Sequence, residues 1–325
     1  MRLLQPQSWL ALLTLALAPC ALAREEKVDP EVKSIPLRTH SLSPPYLDSQ
    51  MQSRWFDFGG DTIIRSDKYI RLTGELASRA GWMFSRVPLT ATNWEIEIEF
   101  KIEGTGTLYG DGMAIWLTKQ RGQAGPVFGM MDKFEGLGIF IDTYKNDRPG
   151  VVFPYIMAMV GDGHTPYDKD HDGKANEIAG CPAHNIRNHG DPTRIKITYM
   201  HDKSLAVYLG TYADPDKWDL CFTTPDVKIP SVAYLGFSAE TGELADSHDI
   251  IKVDARNLYK PEGHSGPNQA SQAGANRGRK LKSQKNKSSG GWGWFFIKFI
   301  IFGLIVAGAW GGFVAYRAQQ GRSRF

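Results

Sequence analysis

Residues Trp94 to Ile102 alternate without a break. Trp94, Ile96, Ile98, Phe100 and Ile102 fall on one side, and Glu95, Glu97, Glu99 and Lys101 on the other. A helix advances by 3.6 residues per turn and would scatter both sets around its surface, whereas a strand sends successive side chains to opposite faces. The stretch is therefore a β-strand with one face in a core and one in water. Further strand-like runs are expected at 113–118, 138–143, 151–160, 194–199, 204–209, 234–238 and 250–258, separated by Gly, Pro and Asp/Asn clusters. No long stretch carries helical periodicity. Many short strands within residues 53–260 predict an all-β domain, a two-sheet sandwich or a barrel.

The two ends read differently from this middle. Arg2, the apolar run Trp9–Ala18 and the small-residue sequence Ala21-Leu22-Ala23 form a signal-peptide pattern, with cleavage expected after Ala23. Residues 24–52 are polar, marked by Pro30, Pro36, Pro44 and Pro45, and read as an extended arm. Residues 261–291 are Gly, Ser, Asn, Gln and Lys with almost no apolar content and no heptads, a flexible stalk. Trp294 to Tyr316 is apolar apart from Lys298. As a helix it would be about 35 Å long against a bilayer core of about 30 Å, so a transmembrane helix is expected there. Residues 317–325 then form a short tail. A cleaved signal followed by a late span predicts a type I membrane protein. The basic residues crowd before the span rather than after it, but charge bias weakens after long translocated domains.

The formal charge of +3 conceals an asymmetry: residues from Pro261 onward carry +9, leaving −6 on residues 1–260. A mildly acidic globular part does not suit nucleic acid. It is compatible with a divalent cation. Once Cys20 has left with the signal, Cys181 and Cys221 remain. An even pair in an oxidising compartment predicts a disulfide, the alternative being two buried free thiols. Closing that loop stabilises the chain by about 3–4 kcal/mol.

Carboxylates mark where chemistry concentrates. Asp111 opens the apolar run Gly112–Trp116, and the run Gly138–Ile141 ends in Asp142-Thr143-Tyr144-Lys145-Asn146-Asp147. Hard oxygen ligands at the mouth of a loop are what calcium requires. Asp168-Lys169-Asp170-His171-Asp172-Gly173 begins like an EF-hand, but its twelfth position is Ala179 rather than a bidentate glutamate. The favoured reading is a loop adding one ligand, Asp172, to a calcium site, with a solvated turn as the alternative. Glu95, Glu97 and Glu99 could in principle supply a glycosidase acid and nucleophile, but a solvated strand face is the simpler reading. His164, His171, His184 and His189 near Cys181 fit no zinc spacing. Neither a Gly-x-Ser-x-Gly elbow nor a phosphate-cradling Gly-rich lysine loop is present.

The order of Gly110-Asp111-Gly112, Phe140 to Asp147, Asp172-Gly173 before Cys181, and Thr241-Gly242-Glu243-Leu244 before His248-Asp249 resembles the intracellular L-type, leguminous-type lectins of the early secretory pathway. The short stalk without a coiled coil is most similar to the vesicular integral-membrane lectin branch. The resemblance covers residues 53–260 together with the signal, span and tail. It implies a jelly-roll β-sandwich of a concave and a convex antiparallel sheet that binds high-mannose N-glycans with Ca2+. By position it assigns calcium to Asp142, Tyr144 through its carbonyl, Asn146 and Asp172, and mannose to Ser78, Asp111, Asn146, Gly242, Glu243 and Leu244. Asp111 would accept bonds from two sugar hydroxyls, and Asn146 would turn its oxygen to the metal and its amide to the sugar. The chain departs from the family at two points. Lys169 stands where the family usually has histidine, and can either donate to a glycan oxygen or weaken calcium by its charge. Glu243 replaces the usual aspartate. The terminal Phe325 resembles family export signals.

The function implied is a calcium-dependent lectin, a glycoprotein cargo receptor or quality-control lectin moving between endoplasmic reticulum and Golgi. It would catalyse no reaction, meet vesicle coat proteins through its cytosolic tail, and hold its lectin domain in the lumen. A membrane-anchored glycosidase on the same sandwich, or a calcium-independent protein-cargo adaptor with a degenerate sugar site, are the alternatives.

Overall fold

The computed structural model describes residues 32–260 and Trp310. The expected signal peptide (1–23), stalk (261–291) and tail with Phe325 lie outside the described residues, as does the expected span (294–316) apart from Trp310. Among the described residues no helix is long and apolar enough to cross a membrane.

The strands run β1 (Lys33–Pro36), β2 (Phe56–Gly60), β3 (Ile63–Arg65), β4 (Tyr69–Thr73), β5 (Arg79–Ser85), β6 (Trp94–Glu103), β7 (Gly112–Thr118) and β8 (Glu135–Asp142). They continue as β9 (Tyr155–Asp162), β10 (Ala179–Pro182), β11 (Thr193–Met200), β12 (Ser204–Gly210), β13 (Trp218–Pro225), β14 (Tyr234–Thr241) and β15 (Ser247–Tyr259). They form two antiparallel sheets. The eight-stranded sheet has the order β13-β12-β11-β6-β15-β4-β3, with β1 also pairing β15, and the seven-stranded sheet has the order β10-β9-β8-β7-β14-β5-β2.

Each strand read from the sequence is present. β6 shows the expected alternation: Ile96, Ile98 and Phe100 are fully buried between the sheets and the intervening Glu and Lys side chains are half-exposed. The run expected from Val151 starts instead at Tyr155. Pro154, which has no N–H to give to a ladder, precedes it. The arm expected at 24–52 is tied to the sandwich where it is described: β1 pairs with the end of β15, Leu42 bridges Val253, and the buried Tyr46 donates its hydroxyl to the carbonyl of Ile251 at 2.7 Å. The expected disulfide is formed. Cys181 on β10 and Cys221 on β13 have Cα atoms 5.5 Å apart and join an edge strand of one sheet to an edge strand of the other.

Two apolar layers flank the seven-stranded sheet. Met113, Ile115 and Leu117 of β7, Leu137, Ile139 and Ile141 of β8, and Leu235 and Phe237 of β14 meet the eight-stranded sheet in the main core. The alternate residues, Ala114 and Trp116 of β7, Phe140 of β8, and Met157 and Met159 of β9, pack outward against Phe128, Phe134 and Tyr167 from the connecting loops. β7 and β8 are thus buried on both faces, which explains why they read as continuous apolar runs. Gly138 is needed in this second layer, because a Cβ there would lie 2.7 Å from the Phe140 ring.

Candidate functional site

The ends of β7, β8 and β14 meet at one edge of the twice-covered sheet. β7 opposes β8 with Gly112 facing Asp142, and β14 with Gly112 facing Glu240. Asp111, directly before β7, is therefore held between the end of β8 and the end of β14. Its peptide bond to Gly110 is cis. Its N–H donates to the Glu240 carbonyl at 3.2 Å, and its carbonyl accepts both the N–H and the hydroxyl of Thr143, at 3.0 and 3.1 Å. The Asp111 carboxylate is half-buried, and burial raises its pKa against the opposing pull of Lys169.

Beyond β14 the chain turns at Gly242. A Cβ there would come within 3.2 Å of an Asp111 carboxylate oxygen, so the bare backbone is what lets the turn approach this group. The Gly242 carbonyl accepts the N–H of Ser78 at 2.8 Å, and Thr241 Oγ1 accepts the N–H of Arg79 at 2.9 Å. Ser78, Asp111 and Gly242 are thereby brought together. Glu243 is exposed and Leu244 half-buried on the same turn.

The second group assembles where β8 ends. Asp142 is buried and its Oδ1 accepts the N–H of Tyr144 at 3.1 Å. Asp172 follows a single 3-10 turn, Lys169–His171, and adopts a left-handed conformation at φ 51°. It is buried, and its carboxylate accepts the Asn146 N–H at 3.0 Å and the Asn146 side-chain amide at 2.6 Å. The Asn146 amide thus points at Asp172 and, at 3.5 Å, at the carbonyl of Lys169. The resemblance had turned this amide toward sugar. Arg148, also buried, donates to the Asp172 carbonyl at 3.0 Å and pairs with Glu177, which fixes the loop from behind. Asp142 is raised well above the usual carboxylate range, first by burial and then by the like charge of Asp172. Asp172 is raised by burial, opposed by its bonds from Asn146.

Two buried carboxylates, with the charge of Asp172 acting against that of Asp142, stand beside Asn146 and Tyr144 and supply oxygen donors without sulfur or imidazole. Among the described residues there is no group of three or more His, Cys, Asp or Glu arranged for a metal. The set suits a hard cation that accepts carbonyl and amide oxygens rather than zinc. The buried Tyr167 hydroxyl, which has no hydrogen-bond partner, is a further oxygen beside these groups: its pKa is raised by burial and then by Asp142 and Asp172. The residues present fit calcium.

Asp111, Asp142, Tyr144 and Asn146 line one concavity with Pro126, Phe128, Tyr167, Lys169 and Glu240. Glu240 and Tyr167 were not legible as site residues. A partial signal for Glu240 was there: Ser238 and Glu240 are alternate polar residues of β14, and alternate residues share a face. Ser238 Oγ takes the Trp116 indole N–H at 2.8 Å and donates to the Phe128 carbonyl at 2.6 Å. The Glu95, Glu97 and Glu99 side chains lie on the other sheet, where Glu95 accepts from Thr198, Glu97 meets Arg194, and Glu99 accepts from Tyr212 and faces Lys252.

A two-sheet antiparallel sandwich whose loops gather acidic side chains above one edge is an architecture found in lectin-type β-sandwich proteins. Comparison narrows the class. The profile of the Legume-like lectin family matches residues 33–265, and the chain belongs to that family. An L-type lectin-like domain-containing protein of Schizosaccharomyces pombe is 36% identical over 287 residues, taking in 87% of this chain and 89% of that protein. The VIP36-like protein of Mus musculus is 42% identical over 222 residues, 66% of this chain and 62% of its own length. Among solved structures, the exoplasmic/lumenal domain of VIP36 in its Ca2+/Man-bound form superposes with a TM-score of 0.65 at 39% identity, covering 71% of this chain and 94% of that one.

Proposed function

We propose that this chain is a calcium-dependent lectin for high-mannose N-glycans, serving as a glycoprotein cargo receptor or quality-control lectin between endoplasmic reticulum and Golgi. The observation that carries the reading is the adjacency of two groups: the oxygen donors Asp142, Asn146 and Asp172 on one side, and Asp111 against the Gly242 backbone on the other. A relative at 39% identity was solved with both Ca2+ and mannose bound.

Asp142, the Tyr144 carbonyl, Asn146 and Asp172 would hold the ion. The ion would supply positive charge that lets two buried carboxylates remain ionised together. The remaining work belongs to the chain. Asp111, held by its main-chain bonds to Glu240 and Thr143, presents two oxygens to a pair of sugar hydroxyls. The Gly242 turn closes on the same carboxylate, and Ser78 is held against that turn. Phe128 and Tyr167 give the wall an apolar surface on which a pyranose ring can lie. In this reading the protein is a single-pass type I membrane protein with its lectin domain in the lumen. The segments 294–316 and 317–325 would supply the span and a tail ending in the export residue Phe325, read by coat proteins.

Calorimetric titration of the full chain with a high-mannose oligosaccharide tests the reading. Binding is expected with calcium and is expected to fall at least about tenfold with chelator; Asp142→Ala should lose it in both conditions. Equal binding with and without chelator would instead support the calcium-independent alternative.

A further inference from the structure

Two charged residues lining the concavity have no place in the assignment above, Lys169 and Glu240. Glu240 is held at three points. Its Oε2 accepts the N–H of Gly129 at 3.2 Å, its main chain lies in the β14–β7 ladder, and its carbonyl takes the N–H of Asp111. The carboxylate is therefore fixed in position relative to Asp111. Opposite it, Lys169 donates from Nζ to the Pro126 carbonyl at 3.3 Å and stands 3.6 Å from Glu240 Oε1. The Lys169 side chain is 55% exposed and the Glu240 side chain 23%. A sheltered anion thus holds a cation at the mouth of the cavity.

The charge count gives this pair a consequence. Three carboxylates line the concavity, Asp111, Asp142 and Glu240; with Asp142 committed to the ion, Lys169, the lysine of the lining, faces the other two. An anionic ligand entering here would have to take the ammonium from Glu240, and would leave that carboxylate unpaired beside Asp111. A neutral hexose pays no such cost, since its hydroxyls can donate to carboxylates and accept from the ammonium without separating the charges. We propose that the Lys169–Glu240 pair is a charge filter, a specificity-determining element that admits neutral mannose and rejects its phosphorylated or carboxylated forms. The inference rests on the concavity being the sugar site.

The test measures a ratio. The full chain in detergent micelles with calcium is titrated with methyl α-mannoside and, separately, with mannose 6-phosphate. Wild type should prefer the neutral sugar by about tenfold at low ionic strength, a difference of about 1.4 kcal/mol. The preference should shrink in high salt as the charges are screened. Glu240→Gln leaves one cation facing one anion, so its ratio should fall to within about twofold of unity. Lys169→Gln leaves two anions without a cation, and its ratio should rise above that of wild type. A ratio in Glu240→Gln equal to that of wild type overturns the filter and leaves the lectin reading standing. If Glu240→Gln fails to fold, an unchanged ratio in Lys169→Gln overturns the filter equally. A wild-type chain that binds neither sugar overturns the lectin reading and the filter with it.

Discussion

The two sheets treat their outer faces in opposite ways. The eight-stranded sheet shows water the side chains Glu95, Glu97 and Glu99, half-exposed and matched to Thr198, Arg194, Tyr212 and Lys252 on neighbouring elements. The seven-stranded sheet has its outer face covered by Val127, Phe128, Met130, Phe134 and Tyr167, and the candidate site stands on the loops that provide this cover. The solvated face needs nothing beyond alternation. The covered face must be filled to interior density, so each loop crossing it is held in one place. The candidate site residues lie on that covered side, where the packing supplies the fixed loops that a ligand site requires.

The contrast can be broken most directly at Phe140. This ring stacks on Phe128 at 5.2 Å and meets Tyr167 and Trp116 edge-on at 5.0 and 5.3 Å. Phe140→Ala should cost about 3–5 kcal/mol in urea unfolding and weaken sugar binding as well, since Phe128 and Tyr167 lose their support. A loss of stability with unchanged sugar affinity would separate the cover from the site. The main core between the sheets gives an intermediate effect through His248. That imidazole is fully buried, has Nδ1 2.7 Å from Thr73 Oγ1, and leaves Nε2 without a partner. Burial pushes its pKa down to about 3. The unfolded chain, with histidine near 6.5, takes up the proton first, so stability is lost as pH falls below that value. The loss from this group between about pH 7.5 and 5 should be about 2 kcal/mol, and should disappear from the pH dependence in His248→Leu. The smallest effect belongs to the solvated face. Glu97→Gln should change stability by no more than about 0.5 kcal/mol and leave sugar affinity unaltered, because its pairing with Arg194 is half-exposed. A large loss of binding in that variant would move the site to the wrong sheet.

The sequence was most readable where one face of a strand meets water. β6 and β11 alternate and could be placed to within a residue. β7, β8 and β14 were visible as apolar runs, but nothing local says that one flank of each run faces a second aromatic layer. Several elements were not legible at all. β2 is Phe-Asp-Phe-Gly-Gly and β10 is Ala-Gly-Cys-Pro, and their strand character comes from neighbours that supply the ladder. The site divides along the same line. Asp111, Asp142 and Asn146 announce themselves by chemical type at strand ends. Glu240 lies one residue inside a strand, next to the turn that drew attention, and only the pairing of β14 with β7 sets it against Asp111. The Lys169–Glu240 contact spans 71 positions of sequence and no spacing rule connects them.

The place of β14 between β5 and β7 has a consequence for how such a chain is made. During synthesis β5 and β7 emerge long before the strand that joins them. Until Tyr234–Thr241 leaves the ribosome, two bare strand edges face a gap lined by Trp116 and Phe84, the kind of surface that recruits wrong partners. The final quarter of the translated domain is thus what converts an open half-sheet into a closed one. Because the same strand carries Glu240 and leads into Gly242, a nascent chain acquires its candidate ligand pocket only as it loses its exposed edges. Ligand capture would therefore report that β14 had been translated and had docked between β5 and β7.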